Sequence, residues 1–154
     1  MAHVRARVDP EEEALARRIL PAGGVALFES MPVADRRHGL DVAVKLLRAG
    51  QDDADLLGAA LLHDAAKGRR MRLWHRIAGV LLGTLAPAAL RRLADPSPAS
   101  WRHPFYLYLH HESMSAELAT SAGCSPRLSA FITGETIDHD APLLLALRAA
   151  DDAS

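Results

Sequence analysis

Residues Leu56–Lys67 read LLGAALLHDAAK, and the fold turns on how this stretch is taken. Leu56, Leu57, Ala60 and Leu61 fall on one stripe at helical spacing, which predicts a buried helix. Asp52 or Asp53 is placed to cap its start, and Gly68 fits the C′ position after Lys67. The helix closes in His63-Asp64. An imidazole and a carboxylate side by side are costly to bury unless something compensates them. A divalent cation compensates both; an exposed last turn, with His63 on the helix dipole, is the bland alternative. Adjacent helical residues point about 100° apart, so the pair reaches one ion only near the helix end, with other helices adding ligands. Lys67 follows three residues after Asp64 and four after His63, on the same face. A cation there suits a phosphate ligand, or serves simply as a C-terminal charge on the dipole.

The rest of the chain agrees with a helical reading. Of 154 residues, 29 are Ala and 24 are Leu, whereas Val, Ile and Thr number 7, 4 and 4. That balance favours helices over sheets. A length of 154 residues fits one domain with a real core. Lys+Arg is 18 and Asp+Glu is 19, so the near-neutral chain argues against general nucleic-acid binding. The single cysteine, Cys124, excludes an internal disulfide and Cys-rich zinc sites, and fits a reducing compartment. Met1–Glu13 is charged and has no apolar core, so no secretion signal is read there and the expected location is the cytoplasm. The apolar run Ile77–Leu90 falls short of the roughly 20 residues needed to span a bilayer. It is expected to be a buried core helix, with an interfacial helix as the alternative.

Helix punctuation gives seven to nine helices in one all-α domain, with no convincing strand pair. Asp9-Pro10-Glu11-Glu12-Glu13 opens a helix to about Leu20, expected to pack on the rest. Further helices are expected over 25–30, from about Pro32 or Asp35 to Gly50, over 73–85, 87–93, 104–111, 114–122, 126–131 and 142–150. Asp95-Pro96-Ser97-Pro98 is a loop within the domain.

Two further elements stand in order around His63-Asp64. Upstream, RHGLDVA (37–43) places His38 at the start of a helix carrying Val42, Ala43, Leu46 and Leu47. Downstream, ALRAADD (146–152) again ends an apolar helix in a carboxylate, Asp151. His38, His63-Asp64 and Asp151, in these phrases and in this order, resemble the HD superfamily of metal-dependent phosphohydrolases, over about Val33 to Asp152. The resemblance implies an all-helical domain in which His38, His63, Asp64 and Asp151 hold one divalent metal. Such ligands suit Mn²⁺, Fe²⁺, Co²⁺, Zn²⁺ or Mg²⁺ alike. Many members hold a second metal with extra histidines, and His111, before SMSAELATSAG, resembles one of these. Thr133-Gly134-Glu135 stands where a His-His pair is expected, which favours one metal; Glu135 is a substitute oxygen ligand at most.

The implied activity is hydrolysis of a phosphate ester of a small molecule, such as a nucleotide, by a metal-activated water. Asp64, Lys67 and Glu112 are the candidate catalytic residues, with Lys67 neutralising phosphoryl charge and Glu112 or His110 as proton donor. Arg37, Lys67 and His110 are the candidate substrate-binding residues. The alternative is a degenerate HD domain that binds a nucleotide or a partner without turnover. Lys67–Arg76 carries five cations and no acid, either as an electropositive lip or as a solvated helix face. Trp74, Trp101, Phe105, Tyr106 and Tyr108 are read as packing or rim residues, and Asp138-His139-Asp140 as a solvated loop. A homodimer through Ile77–Leu85 is allowed by the sequence, although no residue pattern specifies it.

Overall fold

Pro10 and three following glutamates start α1 (Pro10–Ile19), the arrangement that suits a helix N-terminus. The computed structural model describes residues 10–68 and 73–154, with the backbone alone for Leu73 and Arg76. His3, the expected cap Asp9, and Arg69, Arg70 and Arg72 of the basic run lie outside these residues. Eight more helices follow among the described residues: α2 (Ala22–Ser30), α3 (Val33–Arg48), α4 (Ala54–Leu62), α5 (Leu73–Leu85), α6 (Pro87–Leu93), α7 (His103–Ser121), α8 (Pro126–Thr133) and α9 (Ala141–Asp152). A short 3₁₀ turn, Asp138–Asp140, precedes α9, and the described residues contain no strand. The chain is all-α.

The helix read first in the sequence is the centre of the molecule. Every residue of α4 from Leu56 to Leu62 is buried, so its apolar surface runs all the way round. Helices α1, α2, α3, α8 and α9 pack around it. Asp53 caps it, accepting from the Leu56 N–H at 3.0 Å. Ser125 does the same for α8, through the Leu128 N–H. Leu40, Val42, Leu46, Phe28, Leu128 and Phe131 complete the core.

One guanidinium ties the N-terminal ends of α4 and α9 together. Arg127, on α8, donates to both oxygens of Asp53 at 2.9 and 2.8 Å and to Asp140, the residue before α9, at 2.9 and 2.7 Å. It also reaches Asp55 at 3.3 Å and lies 5.0 Å over the Phe131 ring. Asp140 is therefore buried in an ion pair, not part of a solvated loop; Asp138 and His139 are exposed as expected. The Arg127 guanidinium holds the Asp140 carboxyl below its ordinary value. For Asp53, burial pushes upward, but the Leu56 N–H and Arg127 outweigh it and the net shift is downward. A carboxyl depressed in the folded state adds stability that is complete above its unfolded pKa of about 3.9 and is lost as pH falls through the lower folded value. Arg127→Met is thus expected to melt below wild type at neutral pH, with the two melting temperatures converging below about pH 4. Melting curves that stay parallel across that range would refute the linkage.

Three expectations change. The segments 104–111 and 114–122 are one continuous helix, α7, because nothing between His111 and Met114 breaks it. Helix α3 starts after Pro32 at its N-cap, one of the starts the punctuation offered, so His38 sits inside α3 and not at its beginning. And α5 is not a buried core helix: Trp74, Ile77, Val80, Leu81 and Leu85 are each at least half exposed. The α5–α6 hairpin packs on the first half of α7, apart from the main core. Trp101 is also exposed, whereas Phe105 is buried and Tyr108 packs on Gly79. Among the described residues no helix is long and apolar enough to cross a membrane.

Candidate metal centre

The α-helical winding of α4 stops at Leu62. The His63 N–H still bonds back four residues, to Ala59, but the next bonds, Ala65 to Leu62 and Lys67 to Asp64, span only three. Turns therefore carry residues 63–68, ending at Gly68 with φ +60°. The helix ends here, and at its end the two neighbouring side chains reach one another: His63 Nε2 lies 3.5 Å from Asp64 Oδ1. Ser115, buried on α7, braces the turn by accepting from the Ala66 N–H at 3.0 Å.

His38 comes from α3, which crosses close to the end of α4. The close crossing needs Gly39: a Cβ there would lie 2.9 Å from the Leu61 carbonyl oxygen and 3.0 Å from that of Ala60. The imidazoles of His38 and His63 meet edge to face, with centroids 5.2 Å apart. One ligand atom each from His38, His63 and Asp64 fits within 4.8 Å of the others. Asp151, at the end of α9, approaches both rings: its Oδ1 is 2.8 Å from His38 Nε2 and 3.4 Å from His63 Nε2. Of the four residues expected as ligands, His38, His63 and Asp64 thus form one group, and Asp151 abuts its two imidazoles.

The polar atoms at that spot are poorly satisfied. Asp64 is 1% exposed, yet neither of its oxygens has an aligned hydrogen bond, and neither has His63 Nε2. Lys67 Nζ lies 2.5 Å from Asp64 Oδ1 as an ion pair off the hydrogen-bonding directions. The other nitrogen of His63, Nδ1, donates to the Ala60 carbonyl at 2.9 Å, leaving the Nε2 lone pair aimed into the cluster. Burial depresses the His63 pKa, but Asp151 and Asp64 more than reverse this, and the net shift is upward. Burial likewise works to raise Asp64, and His63 and Lys67 overcome it. The hydrogen bond from His38 and the nearness of the His63 ring hold Asp151 far below the carboxylate range.

A cavity of about 90 Å³ opens beside the cluster. Its polar wall holds His63, Lys67, His111, Glu112, Arg148 and Asp151, and its apolar floor is Phe131, Ile132, Leu144 and Leu147. His111 is in the cavity but outside the three-ligand group; its Nδ1 donates to the Tyr108 carbonyl, as His63 does to Ala60. Burial, and then Lys67, lower its pKa. Of the remaining expected residues, Lys67 and Glu112 line the cavity. Arg37 and His110 do not: Arg37 is held by Glu12 and Asp41, and His110 stacks on Tyr106 with centroids 4.4 Å apart. Glu135 is exposed and lies outside it.

Arg148 is the residue the sequence reading missed. It lines the cavity beside Gly134, where an added Cβ would lie 2.6 Å from Arg148 Nη2. The signal was present: Arg148 precedes Asp151 by three residues on the same helix, hence on the same face. The chain matches no protein-family model, no curated protein and no solved structure.

Proposed function

We propose that the protein is an HD-type, metal-dependent phosphohydrolase acting on a phosphate ester of a small molecule. The observation that supports this best is the group of half-buried His38 and His63 with buried Asp64, whose ligand atoms lie within 4.8 Å of one another while Asp64 and His63 Nε2 lack aligned partners. Two imidazole nitrogens and carboxylate oxygens are a fitting donor set for a divalent transition metal. Asp151 completes the set by releasing its contacts with the two rings. A divalent ion, when bound, supplies Lewis acidity toward a phosphoryl oxygen and toward water.

The chain's own residues do the rest. His63 presents Nε2 because Ala60 fixes its ring, and Asp64 places negative charge beside it. Lys67 and Arg148 bind the phosphoryl oxygens and neutralise the charge that grows on them in the transition state. Glu112, on the cavity wall, gives a proton to the leaving oxygen. The apolar floor of Phe131, Ile132, Leu144 and Leu147 holds the ester group and keeps bulk water from it.

A second reading has its own observation. Lys67 already neutralises Asp64, and Asp151 already engages both imidazoles, so much of the cluster's charge is balanced internally. A degenerate domain that binds a nucleotide without turnover would look like this. The deciding experiment is metal content by elemental mass spectrometry, followed by a phosphate-ester panel with the metal found or with added Mn²⁺. About one ion per chain and turnover of at least one ester support the phosphohydrolase. A nucleotide-induced rise in melting temperature without metal or turnover supports the binding module.

A further inference from the structure

Helix α5 is packed inside out. At about 100° per residue, Trp74, Ile77, Leu81 and Leu85 share one face and His75, Gly79 and Gly83 the opposite one. The small and polar face is the one turned inward. His75 is buried edge to face on Phe105, at 5.7 Å between centroids, and a Cβ on Gly79 would lie 2.7 Å from the Tyr108 ring. The large apolar face is left outside, at 50% exposure for Trp74, 53% for Ile77, 54% for Leu81 and 79% for Leu85. A helix that buries His75 and Gly79 and exposes its large apolar side chains reverses the usual arrangement, and a continuous apolar face of this kind marks an interaction surface.

Charge decides what the surface meets. From Lys67 to Leu93 the sequence has seven basic residues and no acid, whereas the remainder has 11 basic and 19 acidic residues. Among the described ones, Arg91 and Arg92 are exposed on α6, the helix paired with α5. A second copy docking through α5 would bring two such basic stretches together with no acid between them. An anionic lipid surface offers apolar depth and negative charge at once. The helix is 13 residues long, about 20 Å, too short to span a bilayer and suited to lying in its surface. Trp74, at its basic end, is the side chain favoured at the headgroup level.

We infer that α5 seats the protein on membranes rich in anionic lipid, with Ile77, Leu81 and Leu85 in the acyl boundary, Trp74 at the headgroup level and Arg91 and Arg92 on the headgroups. The inference is independent of the metal centre, and Asp64→Ala should leave it unchanged. The test is co-sedimentation of the full chain with vesicles of phosphatidylcholine alone or with roughly a third phosphatidylglycerol. Binding to the anionic vesicles is expected to be at least about tenfold tighter, and to weaken when ionic strength is raised. Ile77→Glu with Leu81→Glu should abolish it without changing the helical circular dichroism, since both side chains are already exposed. In a Trp101→Phe background, Trp74 emission should shift to the blue on binding. Absence of binding to anionic vesicles overturns the inference, as does binding that survives the double substitution. A dimer in sedimentation equilibrium that the same double substitution dissociates, with no vesicle binding, would assign the face to a second copy instead.

Discussion

Asp64→Ala is expected, on the proposed function, to abolish metal binding and to lower phosphate-ester turnover on the order of a thousandfold or more, because it removes the one buried carboxylate of the cluster. The fold should survive. Asp64 sits in the core without an aligned hydrogen bond, so its removal relieves the cost of a buried charge while losing the ion pair with Lys67. These effects oppose one another, and the metal-free melting temperature should move by only a few degrees. What should vanish is the response to metal. At a hundred times its dissociation constant a bound ion stabilises a protein by about 2.7 kcal/mol, which for a domain of this size is about 5–10 °C. Scanning calorimetry with and without Mn²⁺, on wild type and variant side by side, checks this. An equal metal-induced rise in both proteins, or unchanged turnover, would remove Asp64 from the site.

The second large effect is expected at Gly39, and no ligand is altered there. An alanine Cβ would press on the carbonyls of Leu61 and Ala60 at 2.9 and 3.0 Å, distances that only backbone movement relieves. Overpacking of this kind costs about 1–3 kcal/mol, or several degrees of melting temperature. The Ala60 carbonyl is also the acceptor that orients His63, and Gly39 adjoins His38 in the chain. Gly39→Ala should therefore cost metal affinity as well, about 10–100-fold, as loss of a ligand's orienting partner does. Isothermal titration with Mn²⁺ reads the affinity and calorimetry the stability. A variant that melts lower yet binds metal as wild type does would mean that the crossing supports the fold only.

Much of the helical plan was readable because it rests on local chemistry. Asp53 and Ser125 cap where a side chain reaches a free N–H two or three residues on, and Gly50, Gly68 and Gly123 take the left-handed turns expected after helices. The His63-Asp64 pair was readable as an anomaly at the end of an apolar stripe. What the sequence hid depends on tertiary contacts. The tightening after Leu62 is braced by Ser115, 49 residues away from its partner Ala66. The burial of Asp140 depends on Arg127 and on the α4 cap. The outward face of α5 was read as core because an apolar stripe has the same periodicity whichever side it turns to water. Arg37, adjacent to His38 in the sequence, points elsewhere because Asp41 and Glu12 hold it.

The Arg127 clamp carries a mechanical consequence. It grips α4 and α9 at their beginnings, and both helices end at the cluster, one in His63-Asp64 and the other in Asp151. They act as the two arms of a pair of tweezers with the guanidinium as pivot. Arms of 9 and 12 residues are about 14 and 18 Å long, so a rotation of about 2° at the pivot opens or closes the tips by roughly half an ångström. That is the scale of error at which ligand geometry begins to fail. Arg127 thus fixes the far ends of two helices whose near ends carry the donors, while touching neither the cluster nor the cavity itself.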